Sequence, residues 1–192
     1  IGDTAALRHL NRVKERSLAF AGGYGTHIPL LAAVVAVSPP GPIVELGAGN
    51  SSSPLLSEMC RAMGRHLISL EREGPWYDCL DDLVGGHRGH HDRLIVADPS
   101  RWVPTIEMVY GELGKFSVTF ADHGLDRSDG AAVLEYLADK SELVVIHDTR
   151  NTWFAGVDDT LDGYKYRFDY VKMAPCTTVV SNTVDVATLF KA

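Results

Sequence analysis

From Pro42 onward the sequence alternates short β-rich runs with helix-sized segments, and that alternation leaves few folds open. The runs are Pro42 to Glu45, His66 to Glu71, Arg93 to Asp98, Phe116 to Asp122 and Glu142 to Asp148. Helical candidates lie between them, at Ser52 to Met63, Trp76 to Leu83, Arg101 to Leu113 and Gly130 to Ala138. Parallel strands need a crossover connection, usually a helix, so this order predicts a parallel sheet with helices on both faces. Leu143-Val144-Val145-Ile146 is apolar at every position, as a strand covered on both faces must be. Tyr164 to Met173 and Thr177 to Val186 instead alternate apolar with polar around Ala174-Pro175-Cys176. That predicts an antiparallel C-terminal hairpin at one edge. The expected class is α/β, a Rossmann-like doubly wound sheet.

Two helical patterns precede the sheet, Thr4 to Phe20 and Ile28 to Val37. We expect residues 1–40 to form an N-terminal helical cap within the same domain, and residues 41–192 the core. The chain opens on Ile1 rather than Met, which reads as a removed or trimmed start. A net charge of −7 weighs against a nucleic-acid partner, which wants a basic face. No apolar run approaches the ~18 residues of a membrane span. Cys60, Cys79 and Cys176 are widely spaced with no CxxC, so reduced thiols and a cytoplasmic location are expected.

All five expected parallel strands end in an acid: Glu45, Glu71, Asp98, Asp122 and Asp148. Ligands of open α/β sheets bind outside the carboxyl ends of the strands. A row of acids there repels a phosphate-rich ligand and suits hydroxyls, amines, a sulfonium or a metal ion. Glu45-Leu46-Gly47-Ala48-Gly49 leads from the first strand into Asn50-Ser51-Ser52-Ser53 at the start of a helix. Gly47 and Gly49 allow a tight turn and close approach to a ligand. The serines and helix amides attract a carboxylate. A dinucleotide fingerprint needs a third glycine near position 52, and it is absent. Glu71, 22 residues after Gly49, stands where an acid accepts both hydroxyls of a ribose.

This loop, with Glu71 and the acidic strand ends, resembles the class I S-adenosylmethionine-dependent methyltransferases. The resemblance implies S-adenosylmethionine as cofactor. Glu45, Gly47, Ala48, Gly49, Ser52 and Ser53 would surround its methionine part. Glu71 would hold the ribose, Asp98, Pro99 and Ser100 would edge the adenine, and Asp122 would complete the set. His27 and Tyr24 fall in the region that caps the cofactor in relatives.

Phe120-Ala121-Asp122-His123-Gly124-Leu125, followed by Ile146-His147-Asp148-Thr149, is similar to the catechol O-methyltransferase group. That implies Mg2+ or another divalent cation held by Asp122, Asp148 and Thr149. Thr149 replaces the group's Asn, Leu125 its catalytic Lys and Gly124 its adenine-stacking Trp. The acid–base candidates are therefore Asp122, His123, His147 and Asp148. The implied reaction is O-methylation of a small-molecule acceptor. The sequence does not fix the acceptor or the oligomeric state. Two alternatives are a repurposed, non-catalytic S-adenosylmethionine-binding protein and an NAD-dependent oxidoreductase, the missing glycine weighing against the latter. We read His87 to Asp92 as a solvated loop, and Asp158, Asp159 and Asp162 as a charged helix face. Trp153 and Phe154 are expected at the mouth.

Overall fold

The computed structural model describes residues 25–74, 89–123, 127–149 and 157–189. Seven strands form one sheet: β1 (Ile43–Leu46), β2 (Leu67–Glu71), β3 (His91–Ile95), β4 (Phe116–Ala121), β5 (Ser141–His147), β6 (Tyr166–Tyr170) and β7 (Thr177–Ser181). The helices are α1 (Ile28–Val37), α2 (Ser52–Met63), α3 (Trp102–Tyr110), α4 (Arg127–Lys140) and the short α5 (Val157–Asp162). The expected helices at Thr4 to Phe20 and Trp76 to Leu83 lie outside the described residues, as do Tyr24, Leu125, Trp153 and Phe154.

The strand order is β3-β2-β1-β4-β5-β7-β6. Strands β1 to β5 run parallel, and β7 lies antiparallel between β5 and β6. The class is thus the expected one: a mostly parallel sheet with an antiparallel C-terminal pair. The order reverses at β1 and β4, the place where open α/β sheets leave a crevice. Leu46 of β1 stands beside both Leu70 of β2 and Ala121 of β4, so the three carboxyl ends finish nearly level.

Alternation along each strand divides two apolar layers. Val44, Leu46, Ile68, Leu70, Val144 and Ile146 face Trp102, Ile106 and Tyr110 of α3 and Val133, Leu134 and Leu137 of α4. Ile43, Leu67, Val118, Phe120, Leu143 and Val145 face Leu31 and Val35 of α1 and Leu55, Leu56 and Met59 of α2. Each fully buried aliphatic side chain of this kind contributes ~1.5–3 kcal/mol. Helix α2 stops at Gly64, whose φ of 63° closes the helix in a left-handed turn, with Arg65 N donating to Cys60 O at 2.8 Å.

One boundary corrects the sequence reading. The third strand starts at His91 and ends at Ile95, so Asp98 lies beyond it in the following turn. The far end of the His87 to Asp92 run is correspondingly structural. His91 is buried in β3, where its Nε2 lies 2.7 Å from Ser69 Oγ. Asp92 accepts from the Tyr110 hydroxyl at 2.8 Å and pairs with His66 at 2.9 Å. Sheet-edge strands tolerate such polar residues because one side faces water.

Candidate active site

The glycine loop is fixed from below. Gly47 adopts a φ of 88°, a left-handed conformation that favours glycine. Its N–H donates to Leu70 O at 2.9 Å, and Asp122 N donates to Leu46 O at 2.8 Å. The loop leaving β1 is therefore stitched to β2 on one side and β4 on the other. Ala48 N donates to Glu71 Oε2 at 2.9 Å, and Glu71 Oε1 accepts from Arg72 N at 2.7 Å and Glu73 N at 3.0 Å. A carboxylate has about four acceptor positions. Three amides leave Glu71, half-buried at the end of β2, with room for one more donor.

Glu45 is not at the mouth. Strand alternation turns it toward the α2 layer, where it is fully buried. Ser53 Oγ donates to its carboxylate at 2.9 and 3.0 Å, and Ser69 Oγ donates at 2.6 Å. Burial pushes the Glu45 carboxyl up to about 7, with the Ser52, Ser69 and Ser53 hydroxyls pulling against that rise. Ser53 also accepts from Gly49 N at 3.0 Å. Ser52 and Ser53 are buried, so this pair and Glu45 brace the loop from underneath.

Asp98 behaves as a turn residue. Its Oδ1 accepts from Ser100 N at 3.0 Å and Ser100 Oγ at 2.7 Å, while its carbonyl accepts from Arg101 N at 3.0 Å. Pro99 opens the 3-10 turn that leads into α3. These three residues sit after β3, with β2 and β1 between them and β4.

Asp122 and Asp148 each follow directly on a strand, β4 and β5. They meet at His147, whose Nδ1 is 3.2 Å from Asp122 Oδ2 and 3.8 Å from Asp148 Oδ1. His147 is buried, and its Nε2 contacts Thr26 Oγ1 at 2.9 Å. His27 packs edge-on against His147 with ring centroids 4.5 Å apart, and tilts over Phe120 at 4.8 Å. Burial drives His27 down to about 3, the neighbouring His147 adding to the fall and Asp122 opposing it. Burial pushes Asp122 up, but the surrounding His147, His27 and His123 outweigh it and hold the carboxyl below its usual value. Asp148 is raised, chiefly by burial. It also adopts a φ of 61°, a left-handed conformation that Asp tolerates better than most residues.

His123 turns away from this group. Its ring stands perpendicular to Trp102 with centroids 5.5 Å apart, and burial lowers it to about 4 against the pull of Asp122. Thr149 also turns aside: its hydroxyl lies 2.9 Å from Thr178 Oγ1 and donates to Cys176 O at 3.5 Å. Of the sequence-predicted acid–base residues, Asp122, His147 and Asp148 thus come together, and His27 joins them. Thr26 had no signal in the sequence. It precedes α1, 121 residues from its partner His147.

No protein-family model and no curated protein sequence matches this chain. Solved structures do. The O-methyltransferase TomG from Streptomyces achromogenes, involved in tomaymycin synthesis and solved with S-adenosylmethionine, matches over 96% of this chain and 92% of its own, at 17% identity and a TM-score of 0.61. An O-methyltransferase from Bacillus cereus, solved with S-adenosylhomocysteine, matches over 94% and 92%, at 15% identity and a TM-score of 0.61. The Methanococcus jannaschii fibrillarin pre-rRNA processing protein matches over 80% and 75%, at 14% identity and a TM-score of 0.58. At such identities the likeness is one of fold. The chain has the Rossmann-like fold of the class I S-adenosylmethionine-dependent methyltransferases, and within it resembles the O-methyltransferases.

Proposed function

We infer that the protein binds S-adenosylmethionine and methylates a hydroxyl of a small molecule. The observation that carries this is the meeting, at one carboxyl edge of the sheet, of the braced Gly47-Ala48-Gly49 loop, the Glu71 carboxylate and the Asp122–His147–Asp148 group. Bound there, the cofactor supplies an electrophilic methyl on sulfur. Gly47, Ala48 and Gly49 would admit its amino-acid part, and Glu71 would accept from a ribose hydroxyl. Asp98 and Ser100, after β3, would border the adenine. Methyl transfer is an in-line displacement: the acceptor oxygen bonds to the methyl carbon as the carbon–sulfur bond breaks. The protein's part is mostly positioning. The hydroxyl proton passes to the carboxylate of Asp148, whose side chain is 27% exposed.

The cation set implied by the sequence, Asp122, Asp148 and Thr149, does not suit this geometry, because the Thr149 hydroxyl is engaged by Thr178 and Cys176. No step here runs through it. The fold does not choose the acceptor, since its neighbours include a pre-rRNA processing protein. The overall charge of −7 favours a small molecule over RNA.

Calorimetric titration tests the reading, with S-adenosylmethionine and NAD as competing ligands. Micromolar binding of S-adenosylmethionine that Glu71→Ala weakens by about a hundredfold is expected, from ~1.5–3 kcal/mol per hydrogen bond to a charged group. Binding of NAD alone would overturn it. A panel of hydroxylated acceptors, with structured RNA beside them, then reads methyl transfer. Binding without transfer to any of them would favour a non-catalytic role.

A further inference from the structure

The contact between Asp122 and His147 leaves a charge to be explained. Thr26 Oγ1 donates its one proton to Pro175 O at 3.0 Å, so its 2.9 Å contact with His147 requires Nε2 to carry the hydrogen. Nδ1 is then the ring atom that faces Asp122. It stands 3.2 Å from Asp122 Oδ2, yet has no aligned hydrogen-bond partner among the described residues. His147 Nδ1 and Asp122 Oδ2 therefore stand side by side, close enough to share a proton or a metal ion. His27 adds a third polar side chain. It is 1% exposed, and neither of its ring nitrogens has a hydrogen-bond partner among the described residues. One ligand atom from each of His27, Asp122 and His147 lies within 4.8 Å of the other two. Burying that many unpaired polar atoms is costly unless something joins them.

We propose that His27, Asp122 and His147 hold a first-row transition dication of the zinc class. Two ligands on such an ion, each ~2.0–2.2 Å from it, stand roughly 3 Å apart, as His147 Nδ1 and Asp122 Oδ2 do. The remaining nitrogen of a ligating histidine normally donates to an oxygen that fixes the ring. His147 Nε2 does so to Thr26, which is anchored in turn on Pro175. Two imidazoles favour zinc, cobalt or iron over magnesium, which prefers a shell of oxygens. Three protein ligands leave a position open for a substrate oxygen, whose hydroxyl an ion there would acidify. The ligand set therefore differs from Asp122, Asp148 and Thr149. It rests on the methyltransferase reading only for what would meet the ion, and its test needs no cofactor.

Chelator-stripped protein is titrated with Co2+ in the absence of S-adenosylmethionine, and visible absorption is followed. One equivalent should raise a ligand-field band that Zn2+ abolishes and that about a hundredfold excess of Mg2+ leaves in place. His27→Gln and His147→Gln should each weaken Zn2+ binding by about a hundredfold or more, and Thr26→Val by about tenfold. His90→Asn, at an exposed histidine ahead of β3, should change nothing. Absence of the band in the unmodified protein overturns the proposal without reference to any variant. A band that survives both His27→Gln and His147→Gln, or that His90→Asn removes, overturns it equally. A separate S-adenosylmethionine titration of the stripped protein reads the cofactor site by itself. A cobalt band without cofactor binding would sink the methyltransferase reading and leave the ion site standing.

Discussion

The carbonyl oxygen of Asp122 occupies the space where Gly47 has no side chain: a Cβ at Gly47 would lie 2.2 Å from it and 2.8 Å from His123 Cα. Both neighbours are backbone, so neither yields by rotating a side chain. The φ of 88° at Gly47 adds a conformational penalty for any other residue. Gly47→Ala should destabilise the fold by on the order of 3 kcal/mol, from strain and overpacking together. In a domain of this size that lowers the Tm by roughly 6–12 °C. Gly49→Ala is the control. A Cβ there meets only the Ser52 hydroxyl, at 3.2 Å, and the expected cost is below about 1 kcal/mol. Urea unfolding of the two variants checks the difference, and equal costs would mean that the loop does not depend on its approach to β4.

Glu45 makes stability depend on pH in a defined direction. Its folded value, about 7, lies above the usual 4.5. The folded state therefore holds the proton more tightly than the unfolded chain. That contribution is complete below pH 4.5 and is lost as pH rises through 7. Glu45→Gln keeps the shape and removes the titration. The stability of the parent protein relative to this variant should fall between pH 4.5 and 7 by on the order of 3 kcal/mol, then level off. Denaturant midpoints across that range read it directly. A difference that does not move with pH would place an ordinary carboxylate at Glu45.

These relationships bear on what the sequence makes legible. Strand β5 was plain because Leu143 and Val145 enter one apolar layer while Val144 and Ile146 enter the other, so all four of these central positions are apolar. Strand β3 was displaced because His91, Asp92 and Arg93 carry polar side chains at a sheet edge, where Ser69 meets His91 and Tyr110 and His66 meet Asp92. The acid ending β2 and those following β4 and β5 gathered at one edge because a parallel sheet brings carboxyl ends together. Glu45 did not join them, for it lies one step before the end of β1 and alternation turns it to the buried face. His27 and Thr26 reach His147 across more than a hundred residues, and no local spacing encodes such a contact.

Asp148 separates chemistry from conformation. Its φ of 61° suits Asp, Asn and Gly and strains other residues. Asp148→Asn should keep the backbone and the stability within about 0.5 kcal/mol, while lowering the methyl-transfer kcat by ~10²–10⁴-fold through loss of the base. Asp148→Val should lose a further 1–2 kcal/mol of stability, roughly the cost of a left-handed β-branched residue. Paired turnover and unfolding measurements test this. A fully active Asp148→Asn enzyme would remove Asp148 from proton transfer.

Thr26 offers the most selective probe of the buried group, because it touches His147 from the side opposite Asp122. Its hydroxyl accepts from His147 Nε2 and donates to Pro175 O. Thr26→Val keeps the volume and removes both bonds, leaving the His147 N–H and the Pro175 carbonyl without that partner. A buried polar group deprived of its partner costs ~1–3 kcal/mol. Thr26→Ser retains the hydroxyl and loses only a methyl, so about 1 kcal/mol is expected. If Thr26 orients His147 for the reaction, Thr26→Val should also lower kcat at saturating cofactor while the Kd for S-adenosylmethionine stays within about threefold, and Thr26→Ser should restore turnover. A fall in stability with unchanged kcat would reduce Thr26 to a packing residue and His147 to a ring held in place for other reasons.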